Sequence, residues 1–368
     1  MVSRSAQAAP RAHARRGRPA LFLLSLAALG ADSAQALTTY CVGTSQELHD
    51  ALQAAPDVND DVQIKIRAGN YAGSGAGRFA LTQTRSTQTI TISGGWYNLF
   101  GNCTIQNRGS GDTVLTGAGD TPALYLRTGA SVVGSSIEAR DFTLRNPTYS
   151  GIGLGSCLQA SLIAGNQMLL ERLRVTQCYA TSPPQSVWLD NTGGALTARD
   201  LVLADNLGSG NSGIGANTSS NGVTRLAQLS ITTSAATDPA STVSGLYIGN
   251  FSNGTTYVSN SVVWGNDSDA ATKDITLGTG GTSLTRVHYG SLGGSAPAAN
   301  IAPGSGDPGF VAPGNPRLRY DSILRDSGVA NPEGGSGSYD ADGASRVLGA
   351  AVDVGAFESD ALFRDGFD

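Results

Sequence analysis

The sequence predicts an all-β fold, a parallel β-helix (a solenoid of short strands) that begins with a short capping helix. Three observations favour this fold. The chain of 368 residues contains 49 glycines but only 14% charged residues, a short alternating apolar segment recurs about every 30 residues, and the repeats lack the 3.6-residue apolar period of a helix. A coiled coil or helical bundle would be richer in charged residues.

Residues 1–36 are predicted to form a secretory signal peptide. Five arginines precede the apolar run 21–30, and Ala34-Gln35-Ala36 supplies a small-residue cleavage site. The run is too short to span a membrane, which takes about 20 apolar residues. Cleavage removes five of 24 basic and one of 29 acidic residues, which leaves a net charge of −9. We therefore expect a protein that is secreted or lies at the cell surface or in the periplasm, without a membrane span or a nucleic-acid partner.

The capping helix is predicted soon after this site. Thr44 and Glu47 have the spacing of a capping box, and Leu48 and Leu52 lie one helical turn apart. A short amphipathic helix here would cover the apolar cross-section and the unpaired strand edge of the first coil. Strand candidates follow at 63–66, 87–92, 113–115 and 123–126.

The repeat is a pair of apolar residues at period two, followed by turn-forming residues. The first members of the pairs are Phe142, Leu173, Leu201, Leu229, Val262 and Tyr289. Their separations of 31, 28, 28, 33 and 27 residues suit one coil of a β-helix, in which Gly or Asn takes the positive φ at each corner. A leucine-rich repeat is the rival fold, but its L-x-L-x-x-N core occurs only once, at 201–206.

Four cysteines remain after cleavage and permit two disulfides in an oxidising compartment. Three connectivities are possible, and we favour Cys157–Cys178 together with Cys41–Cys103. The alternative is buried free thiols. The spacing fits no zinc motif, and the sequence indicates no metal site.

The C-terminal motifs carry a family resemblance, because they occur together and in order. They are 260–266 (NSVVWGN), 287–292 (VHYGSL), 307–311 (DPGFV), 317–319 (RLR), 322–328 (SILRDSG), 340–343 (DADG, a D-x-D-G motif) and 352–358 (VDVGAFE). This set resembles right-handed parallel β-helix proteins of the pectate-lyase-like superfamily that end in a choice-of-anchor Q module, as in exported bacterial proteins. The resemblance implies a right-handed β-helix with its N-terminal cap at 37–292, a closing module at 293–358 and a tail at 359–368.

Two kinds of chemistry are known among β-helix enzymes that cleave acidic polysaccharides. The resemblance would place hydrolase carboxylates in N-T-D, D-D, G-H-G and R-I-K motifs, and the repeat region lacks them. A lyase needs a base beside Ca²⁺, and its candidates are Arg140, Asp141, Arg172, Arg199 and Asp200. These residues and Glu171 fall just before the apolar pair in three successive coils, so a structural ladder of surface ion pairs is the favoured interpretation.

Exposed aromatic side chains on a β-helix can stack on sugar rings. The candidates are Trp96, Tyr97 and Trp188, and for the tryptophans stacking inside the coil is an equal alternative. We therefore expect an exported, non-catalytic binding or structural module without a cofactor, whose partner is a polysaccharide or cell-surface glycan. The alternative function is a polysaccharide lyase acting on acidic glycans, and only that alternative calls for Ca²⁺.

Overall fold

Alternation of apolar and polar residues places one side of each short segment inside the molecule, and these segments form strands. The computed structural model describes residues 36–73, 79–97, 102–151, 155–180, 185–208, 212–236, 245–266, 273–294 and 306–359. It shows a parallel β-solenoid of about 7 turns that is mostly strand and has one short helix, near the N-terminus. The predicted fold class is confirmed.

The helix α1 spans Ser45–Ala54 and is followed by a 3-10 turn at Ala55–Asp57. In chain order, the strands of the described residues are β1 (Leu37–Val42), β2 (Asp61–Arg67), β3 (Gly69–Ala72), β4 (Ala80–Gln83), β5 (Thr89–Tyr97), β6 (Ile105–Gln106), β7 (Thr113–Thr116), β8 (Leu124–Thr128), β9 (Ser136–Tyr149), β10 (Gly155–Ile163), β11 (Gln167–Ala180), β12 (Gln185–Thr192), β13 (Ala195–Arg199), β14 (Val202–Ala204), β15 (Leu207–Gly208), β16 (Ile214–Ser219), β17 (Val223–Ala227), β18 (Ser230–Thr232), β19 (Ala235–Ala236), β20 (Leu246–Asn250), β21 (Thr255–Trp264), β22 (Ile275–Leu277), β23 (Gly281–Tyr289), β24 (Leu292–Gly294), β25 (Phe310–Ala312) and β26 (Asn315–Leu318).

Two long sheets follow the axis of the coil. Sheet 1 contains the order β1-β2-β5-β9-β11-β13-β17-β21-β18-β14, and sheet 2 has the order β24-β22-β20-β16-β12-β10-β8-β4. Successive strands of the main stacks pair in parallel, so each coil places a residue directly beside its counterpart in the next coil. Ile64, Ile92 and Leu170 of sheet 1 and Leu126 and Leu189 of sheet 2 belong to one buried apolar core.

The capping helix begins as predicted. The side-chain oxygen of Thr44 accepts a hydrogen bond from the Glu47 N–H at 3.2 Å, and the Glu47 carboxylate accepts one from the Gly43 N–H at 2.7 Å. Leu48 and Leu52 are buried in the same core as the strands. The helix therefore covers apolar surface at the first coil, where an open solenoid would expose it.

Six successive coils bend at the same position, where a residue other than glycine has positive φ. These corner residues are Asp141, Arg172, Asp200, Gln228, Asn260 and Arg286, with φ between 44° and 66°. We call the strand segments of sheet 1 before the corner the first ribbon and those after it the second ribbon. The expectation of Gly or Asn at the corners holds here only for Asn260, and the others require surrounding contacts to hold a strained backbone.

The repeat positions are confirmed for Phe142 and Leu173, which lie in register in β9 and β11. The prediction is wrong for Val262, which is in register with Ser230 and belongs to a different column from Leu229. Ser261 takes the core position instead and is fully buried. Its hydroxyl is satisfied by the backbone, since it accepts from Leu229 N–H at 3.1 Å. A small polar residue at an inward position therefore hid the repeat.

The C-terminal residues 306–359, which we call the strap, lie along the outside of sheet 1, in contact with both ribbons. Ala356 N–H donates to the Ser230 hydroxyl at 2.9 Å, and Ser110 N–H donates to the carbonyl of Ala341 at 3.2 Å. Two apolar clusters join Phe357 to Val202 and Leu324 to Val262. The strap thus packs lengthwise along several coils.

The disulfides are Cys41–Cys103 and Cys157–Cys178, the favoured pairing. Residues 1–35 of the predicted signal peptide and residues 360–368 of the tail lie outside the described residues. No helix within the described ranges is long and apolar enough to cross a membrane.

Candidate functional site

Two of the predicted site residues, Arg140 and Arg199, stack with Glu171 of the predicted ladder on the outer face of the first ribbon. Arg140 in β9 is in register with Glu171 in β11, and Glu171 is in register with Arg199 in β13. The residue before each of them is buried in the core. Strand alternation therefore directs the three side chains outward.

Asp141, Arg172 and Asp200 do not share that face. They are the corner residues of the same coils, and 0%, 4% and 0% of each is exposed. The prediction of a surface ladder is therefore wrong for these three residues. Their positive φ breaks the strand alternation at the corner and places their side chains beneath other parts of the chain.

Each of the three predicted arginines, Arg140, Arg172 and Arg199, contacts a carboxylate. The Arg172 Nε lies 2.6 Å from Asp141 Oδ1, and its Nη1 lies 2.8 Å from Glu171 Oε2. Glu171 Oε1 lies 2.6 Å from Arg199 Nη2. Arg140 pairs at 3.3 Å with Glu138 of its own strand. The ladder thus contains cross-strand pairs, but the Arg140–Glu138 and Arg172–Glu171 pairs each lie within one strand.

These pairings bear on the arginines proposed as lyase bases. A guanidinium group can accept a proton from the substrate only after it has lost one of its own. Burial lowers the pKa of the Arg172 guanidinium, but hydrogen bonding and charge from Asp141, and then from Glu171, outweigh it and raise that pKa. Arg172 is therefore held as a cation. Arg140, Arg172 and Arg199 are each paired with a carboxylate, and this arrangement argues against a lyase base.

Asp200 has a partner that sequence reasoning missed. It forms a buried ion pair with Arg346 of the strap, and Arg346 also lies 3.2 Å from Glu358 Oε1. Burial lowers the pKa of Arg346, and the charge of Glu358 opposes that effect. Asp200 and Arg346 are 146 residues apart, so no spacing in the sequence could indicate this pair.

The outward arginines line a cavity that the strap closes on one side. This cavity of about 320 Å³ is bounded by Arg108, Arg140, Glu171, Arg172, Arg199 and Tyr339, among others. Arg108 stacks on the Tyr339 ring at 4.5 Å from its centroid and donates to its hydroxyl at 3.1 Å. Neither residue was predicted, because they are 231 positions apart and belong to no repeat.

A second cavity of about 290 Å³ shares Arg199 with the first. Its lining includes Glu138 and Arg225. We call the two cavities together the arginine groove. Its charged lining consists of Arg108, Arg140, Arg172, Arg199, Arg225, Glu138 and Glu171. Five guanidinium groups and two carboxylates line it, and Asp141 and Glu333 pair with Arg172 and Arg225 from beside the lining. The five cations therefore exceed the four carboxylates by one, in a chain whose net charge is −5.

The strap forms the wall of the arginine groove through direct contacts. Arg199 donates to the carbonyl of Gly334 at 3.2 Å, and Arg225 pairs with Glu333 at 3.3 Å. At Gly337 the φ is +69°, and a β-carbon there would lie 3.2 Å from Glu171 Oε1. A glycine lets the strap pass this close to the sheet.

The predicted aromatic residues do not form one surface. Trp96 is half-buried beside the first ribbon, where its Nε1 donates to Ser93 Oγ at 2.9 Å and Lys65 Nζ lies 4.2 Å from its ring centroid. Tyr97 is exposed and donates to Asp112 at 3.0 Å. Trp188 is only 8% exposed and lies on the outer side of sheet 2, so it is neither an open platform nor a core residue.

Metal ligands are not assembled in this site. Within the part of the chain that the structure describes, no three His, Cys, Asp or Glu residues are grouped so that they could hold a metal ion. Asp340, which begins the D-x-D-G motif, accepts from Asp342 N–H at 3.0 Å and Ala344 N–H at 2.8 Å. This motif is an ordinary turn.

No protein-family model and no curated protein sequence matches the chain. The functional argument therefore rests on the geometry of the arginine groove.

Proposed function

We propose that the protein is an exported, non-catalytic β-helix module that binds an anionic glycan in the arginine groove, at the cell surface or outside the cell. The observation that supports this most is the concentration of five arginines in one groove, where they exceed by one the four carboxylates that pair with them. The rest of the chain is acidic, so the groove is a local exception that attracts anions.

Arginine suits carboxylate and sulfate groups, because its planar guanidinium donates two parallel hydrogen bonds to them. Arg140 and Arg225 keep 31% and 32% of their side chains exposed beside their glutamate partners, so each retains donors for a ligand. Arg108, which stacks on the half-buried ring of Tyr339, adds a further guanidinium group at the wall of the groove.

The groove follows the stacked coils from β9 to β17, so its shape suits an extended polymer. An anionic glycan is such a polymer outside the cell, where the predicted signal peptide would direct the protein. The guanidinium groups supply the positive charge themselves, so the binding that we propose requires no metal cofactor.

Isothermal titration calorimetry of the mature protein against acidic and neutral oligosaccharides tests this function. We expect an acidic glycan to bind and neutral maltohexaose not to bind, with no effect of EDTA. Arg140→Ala and Arg225→Ala should each weaken binding about threefold to tenfold, as the loss of one partly exposed charged contact does. Arg127→Ala on sheet 2 is the matched control and should leave binding unchanged.

Two results would contradict the proposal. One is the failure of every acidic glycan to bind, and the other is an Arg140→Ala variant that binds as the Arg127→Ala control does. The same mixtures followed at about 235 nm, where an unsaturated uronate absorbs, separate binding from the proton abstraction of a lyase. We expect a flat trace with and without Ca²⁺.

A further inference from the structure

Four of the five arginines in the arginine groove are neutralised by carboxylates of the chain itself. An ion pair has little net charge, so its arginine can still donate hydrogen bonds to a ligand but attracts an anion only weakly. The pairs, with N–O distances from 2.6 to 3.3 Å, are Arg140–Glu138, Arg172–Asp141, Arg199–Glu171 and Arg225–Glu333.

Arg108 is the fifth arginine, and it differs from the other four. None of the ion pairs between described residues includes it. Its side chain is exposed, and it lines the first cavity. The single cation by which the arginines of the groove exceed their carboxylate partners is therefore Arg108.

The strap holds the Arg108 guanidinium in place without neutralising it. The guanidinium lies over the Tyr339 ring at 4.5 Å from the centroid, and Nη1 donates to the Tyr339 hydroxyl at 3.1 Å. The next residue is also fixed, because Gly109 N–H donates to Asp141 Oδ1 at 3.0 Å. Stacking occupies the face of the planar guanidinium and leaves the N–H groups at its edge available for a ligand.

A neighbouring arginine lies within the same cavity. Arg140 and Arg108 both line the first cavity, whereas Arg225 lines only the second. A carboxylate or sulfate that enters the first cavity therefore meets one free cation at Arg108 and a half-exposed hydrogen-bond donor at Arg140. It can pair with Arg108 without displacing a carboxylate of the protein.

We propose that Arg108 provides the charge selectivity of the arginine groove. The anionic group of the glycan pairs with Arg108 in the first cavity, and the four paired arginines add hydrogen bonds that depend little on the charge of the ligand. The proposal rests on the glycan-binding function proposed above, and it adds the residue that distinguishes an acidic sugar from a neutral one.

Calorimetry with hyaluronate tetrasaccharide and its carboxyl methyl ester tests this role in the mature protein. The two probes have the same sugar rings, but only the first is charged. At pH 7.5 and low salt we expect the wild type to bind the acidic probe about fivefold more tightly, which is the effect of one partly exposed charge contact. In Arg108→Gln, which keeps N–H donors but loses the charge, the two probes should bind with nearly equal affinity.

Two further variants separate the charge of Arg108 from its structural contacts. Arg108→Lys retains the charge but loses the planar group, and it should keep most of the preference for the acidic probe. The double variant of Glu138→Gln and Arg140→Ala removes a balanced ion pair and leaves Arg108 as the excess cation. It should bind both probes more weakly and keep the preference.

The outcomes separate this inference from the proposed function. A preference that persists unchanged in Arg108→Gln would overturn the role of Arg108 while leaving anionic glycan binding in place. A double variant that loses the preference as fully as Arg108→Gln does would do the same. If the wild type binds neither probe, or binds both equally, this inference is wrong, whereas the proposed function fails only when every acidic glycan fails to bind.

Discussion

Arg346→Met should destabilise the protein strongly, because Arg346 anchors the strap from a fully buried position. Its side chain is 2% exposed, and those of its partners Asp200 and Glu358 are 0% and 1% exposed. Arg346 also donates to the carbonyls of Gly355 at 3.3 Å and Ala356 at 3.2 Å. Methionine keeps the length of the apolar stem but leaves two buried carboxylates without their cation.

The expected cost is about 3–5 kcal/mol in the free energy of unfolding, the range found when one partner of a buried ion pair is removed. Urea unfolding at pH 8, followed by circular dichroism, measures it. Arg319→Met is the matched control in the same strap, because the Arg319 side chain is 46% exposed and pairs with exposed aspartates. Its loss should cost about 1 kcal/mol or less.

The prediction extends to Asp200. A double variant that combines Arg346→Met with Asp200→Asn should recover part of the loss, because it removes one of the two uncompensated charges. The reasoning would be refuted if Arg346→Met cost no more than Arg319→Met. That result would mean that the strap is held mainly by its apolar contacts.

Two further predictions concern the disulfides and pH. Replacing Cys41 and Cys103 by Ala should lower the free energy of unfolding by about 4 kcal/mol. The same replacement of Cys157 and Cys178 should lower it by about 3 kcal/mol, because this pair closes the shorter loop. Equal urea midpoints for the two variants would contradict this order. Burial raises the pKa of Asp340 to about 6 and that of Glu358 to about 7, above their ordinary values of 3.8 and 4.5. Such groups bind protons more tightly in the folded state, so their contribution to stability is largest at low pH and falls as pH rises from about 4 to about 7. The decrease in melting temperature from pH 5 to pH 8 should therefore be smaller in Glu358→Gln than in wild type. A decrease as large as that of the wild type would contradict this prediction.

The periodicity of the sequence predicted the solenoid because apolar side chains must face inward once in every coil. Phe142 and Leu173 are in register for this reason. The signal failed at Ser261, where backbone hydrogen bonds make a small polar residue acceptable inside. It also failed at the corners, where Arg172 has positive φ and is stabilised by Asp141 of the neighbouring coil and by Glu171 of its own strand.

The candidate site was predictable only in part. The register of the strands places Arg140 and Arg199 on one outer face, and the repeat spacing in the sequence was enough to predict that they share it. The wall of the groove depends on Tyr339 and on the docking of the strap, which rests on contacts between residues more than a hundred positions apart. Repeats report which residues share a column, but they carry no information about a segment that packs outside the repeat.

A crystal structure of the mature protein with a bound acidic hexasaccharide tests the central claim most directly. The account predicts that the glycan lies in the arginine groove along the first ribbon, with its carboxylates within hydrogen-bonding distance of Arg140 and Arg225. A glycan seated on sheet 2, or one that leaves the arginine groove empty, would contradict it.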